Sequence, residues 1–322
     1  MRRIRRERHF GILVSNIVPP SPWVGDVAYF TWLTLLPADE YNDCEDLLGK
    51  WFGLNPEKRS DIFLATKFGI RGLTPAPNGG FPTLNVDSSP EYCKQAIDKS
   101  LRRLGIPYID IYYIHRLDKV TPIEKTMEAL VELKHAGKIK HIGLSECSAD
   151  SLRRAHKIHP VSAVEVEYSA FCTIIEDKTI AVLQTARELG IAVVAYSPLG
   201  NGVITGAIRS RDDIKGMRAL LPKLSEENFP KNQVVLERLA GIAEKKQCTI
   251  AQLALAWLLM QGDDVFPIPG TTKIDRLEEN IRALEVVLGH EEERAVREAV
   301  KDVAGGRVQD KLGYTFADTP SL

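Results

Sequence analysis

Ile109-Asp110-Ile111-Tyr112-Tyr113-Ile114-His115 is the stretch on which the fold turns. It is a short β-branched and aromatic run, the composition of a buried strand. Ile123–His135 follows, with Met127, Leu130, Val131 and Leu133 at the spacing of an amphipathic helix. His141–Leu144 then returns to a strand-like run. Strand, helix and strand in that order imply parallel strands joined by a right-handed crossover. The alternation continues outward on both sides. Further strand-like runs are Ile62–Lys67, Ala163–Glu167, Ile191–Tyr196 and Val265–Pro269. Helical patterns cover Pro90–Leu104, where Ala96, Ile97, Leu101 and Leu104 share a stripe, then Lys178–Leu189, Asn232–Lys246, Ile250–Met260, Ile274–Leu284 and Glu291–Val303.

Six clear units with two poorly formed ones at the start predict an α/β fold, a (β/α)8 TIM barrel whose first strand–helix unit is atypical or missing. The alternative is an open doubly wound sheet. That fold usually opens with a G-x-G-x-x-G fingerprint after its first strand, and none is present. The expected organisation is a barrel domain over 41–322 after an atypical segment, 1–40. Arg2, Arg3, Arg5, Arg6 and Arg8 precede an apolar stretch, Gly11 to Val18. That order resembles a signal peptide, but Pro19, Pro20 and Pro22 follow at once and no small-residue cleavage site is clear. Glu7 and the lack of serine count against a mitochondrial presequence. The three prolines forbid a regular helix, and the segment is expected to be poorly ordered.

The chain has 322 residues, 44% hydrophobic and 26% charged, which is ordinary for a globular protein and argues against a disordered or disulfide-stapled one. Its formal net charge of -1 provides no field to recruit nucleic acid or an anionic membrane. The longest apolar candidate, Thr249 to Met260, is too short to span a bilayer. Cys44, Cys93, Cys147, Cys172 and Cys248 are odd in number and widely spaced, which reads as reduced thiols in a reducing, cytoplasmic setting. No metal-ligand spacing appears.

In a barrel, function collects at the carboxyl ends of the strands. Lys67 and His115 both stand there, as do Ser145-Glu146, Tyr196-Ser197 and Gly270-Thr271-Thr272. Alone, each reads equally as a strand-end lysine or a core histidine; together they mark one rim. These segments carry a resemblance. Glu45–Phe52, Asp61-Ile-Phe-Leu-Ala-Thr-Lys-Phe-Gly69, Ile109–Arg116, Ile142-Gly-Leu-Ser-Glu146, Ala195-Tyr-Ser-Pro-Leu-Gly-Asn-Gly202 and Ile268-Pro-Gly-Thr-Thr-Lys273, in this order and spacing, resemble an aldo-keto reductase. The tail Phe316-Ala-Asp-Thr-Pro320 is similar to fungal and bacterial members.

The resemblance implies reduction of an aldehyde or ketone by NADPH, with a hydride from nicotinamide C4. It implies a phenol as proton donor, matched by Tyr41, with Lys67 and His115 beside it. Tyrosine is a weak acid, with an ordinary pKa of about 10; a nearby ammonium makes it a better donor. The histidine binds the developing alkoxide as an oxyanion stabiliser does. The family's catalytic aspartate, which pairs with the lysine, falls on Leu36. Lys67 is therefore expected to be poorly compensated. Asp39 matches a different aspartate of the motif. Residues 1–36 do not resemble the family's start, an edge such as an incorrect exon boundary or retained intron would leave.

The resemblance further implies that Ser145 and Glu146 face the nicotinamide carboxamide, that Glu165 stands where a glutamine usually makes another such contact, and that Tyr196 stacks on the ring. Ser197, Leu199, Gly200 and Gly202 would approach the pyrophosphate. Gly270, Thr271, Thr272, Lys273 and Arg276 open a helix and suit a phosphate dianion, which favours NADPH over NADH. Glu279 and Asn280 match the adenine positions. Three readings stay open: a carbonyl reductase with a small-molecule substrate, in some members part of secondary metabolism or a toxin pathway; an NADPH-binding protein with little turnover because of Leu36; and a truncated barrel that folds poorly.

Overall fold

A computed structural model of the chain describes residues 43–75, 81–214 and 216–322. The expectations for residues 1–40, and with them the first strand–helix unit, Leu36 and Tyr41, lie outside the described residues.

The described chain begins with helix α1 (Asp43–Leu54) and strand β1 (Ala65–Phe68). A hairpin of β2 (Ile70–Thr74) and β3 (Thr83–Val86) follows, antiparallel. Helix α2 (Pro90–Leu104) starts on Ser89, whose hydroxyl accepts from the Tyr92 N–H at 3.2 Å, with proline at the first helical position. Then come β4 (Ile109–Ile114), α3 (Ile123–His135), β5 (Ile139–Ser145), α4 (Ala149–Ile158), β6 (Ala163–Glu167), α5 (Val182–Leu189) and β7 (Ala192–Tyr196). After a long loop, α6 (Phe229–Lys245) and α7 (Ile250–Met260) lead to β8 (Val265–Pro267), α8 (Ile274–Ile281) and α9 (His290–Val300). Thr249 and Gln252 form a reciprocal cap at the start of α7.

Six strands pair in parallel in the order β1-β4-β5-β6-β7-β8. All six are strands the sequence pattern predicts, and α2, α3 and α7 match their predicted bounds. Helices α1 and α4 and the hairpin were not among the expected elements. In α4 the buried residues are Ser151, Leu152 and Ala155 alone, too thin an apolar stripe to show as a period.

Two core clusters divide the strand residues by parity. Leu64, Phe68, Tyr112, Ile114, Val164, Val166, Val193 and Ala195 pack outward against the helices. Ala65, Ile111, Tyr113, Ala163, Val194, Tyr196 and Ile268 pack together on the other face. Alternation along a strand then turns Lys67, His115, Glu165 and Glu167 to that inner face. One contact establishes curvature. Lys67 on β1 forms an ion pair with Glu165 on β6, although β4 and β5 lie between them. Three strand spacings in a flat sheet would separate them by about 14 Å. The sheet therefore curls into a barrel wall, and the inner cluster is its lumen.

Gly143 shows how tightly that lumen is packed. It pairs with Tyr113 across β4 and β5, and a Cβ there would lie 2.4 Å from two atoms of the Tyr113 ring. Gly143→Ala is expected to destabilise the fold by about 1–3 kcal/mol. Urea unfolding checks this; an unchanged midpoint would mean that the ring has room to move.

Candidate active site

Lys67 and His115 meet at the lumen mouth because β1 and β4 end together: the His115 backbone N–H donates to the Phe68 carbonyl at 2.7 Å. The Lys67 ammonium donates to Glu165 Oε1, and the two side chains are 11% and 2% exposed. Lys67 is thus compensated, contrary to the expectation drawn from Leu36. Arg116 extends from β4 to donate to its neighbour's carbonyl, that of His115, at 2.7 Å and to Ser145 Oγ at 3.1 Å.

Burial draws the Lys67 pKa below its ordinary value, Glu165 opposes that, and Arg116 adds to it. Burial, then Lys67 and Arg116, hold the His115 imidazole well below the usual histidine range. His115 is therefore neutral near pH 7, with one N–H to donate and one nitrogen to accept. The unfolded chain takes a proton at this position below about pH 6.5 that the folded chain refuses. Stability contributed here is complete above that value and falls as pH drops toward the folded-state pKa. His115→Gln is expected to lose less stability than the wild type between about pH 7 and pH 5, by up to about 1.4 kcal/mol per unit. Urea unfolding across that range checks it; parallel pH slopes for the two proteins would contradict a neutral buried imidazole.

A second group lies beside the first. Glu146 is fully buried with φ +51°. It accepts from Tyr196 Oη at 2.8 Å, from Arg307 Nη2 at 2.6 Å and from the Glu167 N–H at 3.1 Å. Arg307 Nε also donates to Glu167 Oε2 at 3.0 Å, and its guanidinium lies 4.8 Å from the Phe316 ring. Burial raises the Glu146 pKa, but Arg307 and Arg116 outweigh it and the carboxyl stays below its ordinary range. Burial wins at Glu167, which sits above its ordinary range despite Arg307 and Lys223. Burial and Glu146 push the Tyr196 phenol well up. Arg307 comes from the tail after α9. The tail is pinned further on, where the Ala317 N–H donates to the Glu146 carbonyl at 3.0 Å and Ser151 Oγ donates to Asp318 Oδ1 at 2.8 Å.

The loop after β7 turns on residues with positive φ, Ser197 at +49°, Gly200 at +56°, Asn201 at +57° and Gly202 at +86° among them. At Gly202 the left-handed φ of +86° favours glycine, and a Cβ would also press on the end of the Arg218 side chain at 3.3 Å. Ser197 Oγ donates to Asn201 Oδ1 at 3.0 Å, and Leu199 is half-buried beneath the turn. Beside it a narrow cleft is lined by Glu167, Ser169, Asn201, Lys223 and Gly306. On the next side, Gly270 leads to Thr271, which is buried and accepts from the Lys273 N–H at 3.1 Å. Thr272, Lys273 and Arg276 are exposed at the start of α8. Glu279 is half-buried and Asn280 buried.

The family model for the aldo/keto reductase family matches residues 36–301. The chain belongs to the aldo/keto reductase family. Membership makes it an NADP(H)-dependent oxidoreductase of carbonyl and alcohol groups. This aldo/keto reductase is 47% identical to one from Strobilurus tenacellus over 286 residues, 88% of this chain and 81% of that one. It is 46% identical to an NADP(+) aldo-keto reductase of Schizosaccharomyces pombe over 283 residues, 86% and 82% of the two chains. Its structure is similar to that of a glycerol dehydrogenase from Gluconobacter oxydans, with a TM-score of 0.72 and 26% identity over 82% of this chain and 79% of that one.

The inner face carries acceptors that suit a cofactor carboxamide. Glu146 Oε2 and Glu165 Oε2 are buried acceptors without a hydrogen-bond partner among the described residues, and a carboxamide NH2 has two hydrogens to donate. The structure places Lys67, His115 and Glu165 at one mouth. The sequence reading missed Arg116, Glu167, Lys223 and Arg307. The alternation that turns Glu165 inward also turns Glu167 inward, so that residue was findable. Arg307 carries no local pattern at all.

Proposed function

We propose that this reductase converts an aldehyde or ketone to the alcohol, with Lys67, His115 and Tyr41 as its catalytic residues. The observation that carries the reading is the charged Lys67–Glu165 pair beside the neutral His115 at one buried mouth. Tyr41 enters by resemblance as the proton donor, its acidity raised by the Lys67 ammonium. The neutral His115 imidazole donates a hydrogen bond to the oxygen that gains charge. Bound NADPH supplies the hydride.

The chain's own residues hold the cofactor at three places. Ser145, Glu146 and Glu165 take the carboxamide, and Tyr196 forms a wall of the nicotinamide site. Ser197, Leu199, Gly200 and Gly202 line the pyrophosphate. Gly270, Thr271, Thr272, Lys273 and Arg276 surround the 2′-phosphate, with Glu279 and Asn280 at the adenine. Compensation of Lys67 by Glu165 favours turnover over a silent cofactor-binding role. Five free thiols suit a reducing cytoplasm. Among the described residues no helix is long and apolar enough to cross a membrane. We extend the reading to a secondary-metabolite or toxin pathway on the resemblance of the Phe316–Pro320 tail to fungal and bacterial members.

NADPH consumption by the purified chain over a panel of aldehydes and ketones tests the activity. Turnover with at least one carbonyl is expected; quenching of tryptophan fluorescence by NADPH without oxidation of any panel member would replace the proposal with cofactor binding alone. The double variant Lys273→Ala with Arg276→Ala is expected to weaken NADPH binding by about tenfold to a hundredfold, with NADH nearly unaffected. Equal weakening for both cofactors would remove the 2′-phosphate from that helix start.

A further inference from the structure

Among the described residues, Glu146, Glu165 and Glu167 face the inner side of the wall, and they are not equivalent. Glu146 is committed to Arg307 and Tyr196, and Glu167 to Arg307. Glu165 is the one side chain hydrogen-bonded to Lys67 among the described residues. The other groups facing Lys67 make its charge costly. His115 and Arg116 approach from the end of β4, the first neutral and the second a like charge. Tyr113, also on β4, faces Glu165 and is held un-ionised by burial and by that carboxylate. An ammonium so surrounded and nine-tenths buried gives up its proton unless a carboxylate repays the lost hydration.

We propose that Glu165 is the positioning residue for Lys67: its carboxylate keeps the ammonium charged and fixed at the barrel mouth. This goes beyond a contact to the cofactor carboxamide, because one carboxylate oxygen is spent on the lysine before any cofactor binds. The other, Oε2, stays available. The pair itself stands on geometry; only its consequence for turnover rests on the function proposed above.

The experiment measures Lys67 in the full chain without cofactor. Lysines are reductively methylated with 13C-formaldehyde, and the Lys67 resonance is identified by its loss in Lys67→Arg. In Glu165→Gln the Lys67 titration is expected to fall by about one to three pH units. In Glu165→Asp, which keeps the charge on a shorter stem, it should lie between wild type and Glu165→Gln. If Glu165→Gln does not fold, wild type against Glu165→Asp decides by the same readout. Titration of Lys67 at one common pH in all the folded proteins would overturn the proposal. The pH profile of kcat/KM then separates the two claims: its basic limb should move down together with the Lys67 resonance. A shifted resonance with a fixed basic limb would uphold the pair and remove Lys67 from the proton chain.

Discussion

Lys67→Met is expected to lower kcat by about 10²- to 10⁴-fold, the usual size of a lost proton-transfer contribution. Methionine keeps much of the lysine stem and removes the ammonium. Without that charge, the phenol proposed as proton donor, Tyr41, keeps an acidity near its ordinary pKa of about 10 and donates poorly. The same change leaves Glu165 buried without its lysine, so some stability is lost as well. The double variant Lys67→Met with Glu165→Gln separates the two effects. It removes both charges at once, so folding is expected to recover while kcat stays low. Near wild-type kcat in a folded Lys67→Met protein would exclude the ammonium from the chemistry. Stopped-flow NADPH oxidation gives kcat, and quenching of tryptophan fluorescence gives cofactor affinity independently.

Arg307→Met is expected to cost about 3–5 kcal/mol of stability, the range for breaking a buried ion pair by deleting one partner. The Arg307 side chain is 4% exposed and serves Glu146, Glu167 and Tyr196 Oη, the last at 3.2 Å. Its loss leaves Glu146 and Glu167 without the cation they share. The pH dependence identifies the cause. In the variant both carboxyls titrate above their unfolded values, so the folded state binds the extra protons. Its stability deficit therefore grows as pH rises above about 4.3 and shrinks as pH falls toward that value. Urea unfolding of both proteins at several pH values measures it. A constant deficit at every pH would point to lost packing against Phe316 rather than stranded charge.

The strands were legible because a buried parallel strand is short and rich in β-branched and aromatic residues. Ile109–Ile114 and Ala163–Glu167 announce themselves by β-branched and aromatic content. The charged residues within such runs were legible for the same reason: an ammonium or carboxylate inside an apolar run is costly without a purpose. Lys67 therefore stood out, whereas Glu165 entered only through the family resemblance. Helix α4 and the hairpin did not stand out, because they bury little and leave no strong period.

What stayed hidden was the choice of partners. Lys67 and Glu165 are 98 residues apart, and Arg307 and Glu167 are 140 apart. Local spacing determines which way each side chain turns, and so it selected the strands, the crossover helices and the inner face. It says nothing of how far the sheet curls. Only the curl of the sheet brings β1 opposite β6, and only the path of the tail carries Arg307 to Glu146 and Glu167; these decide which carboxylate each buried cation meets.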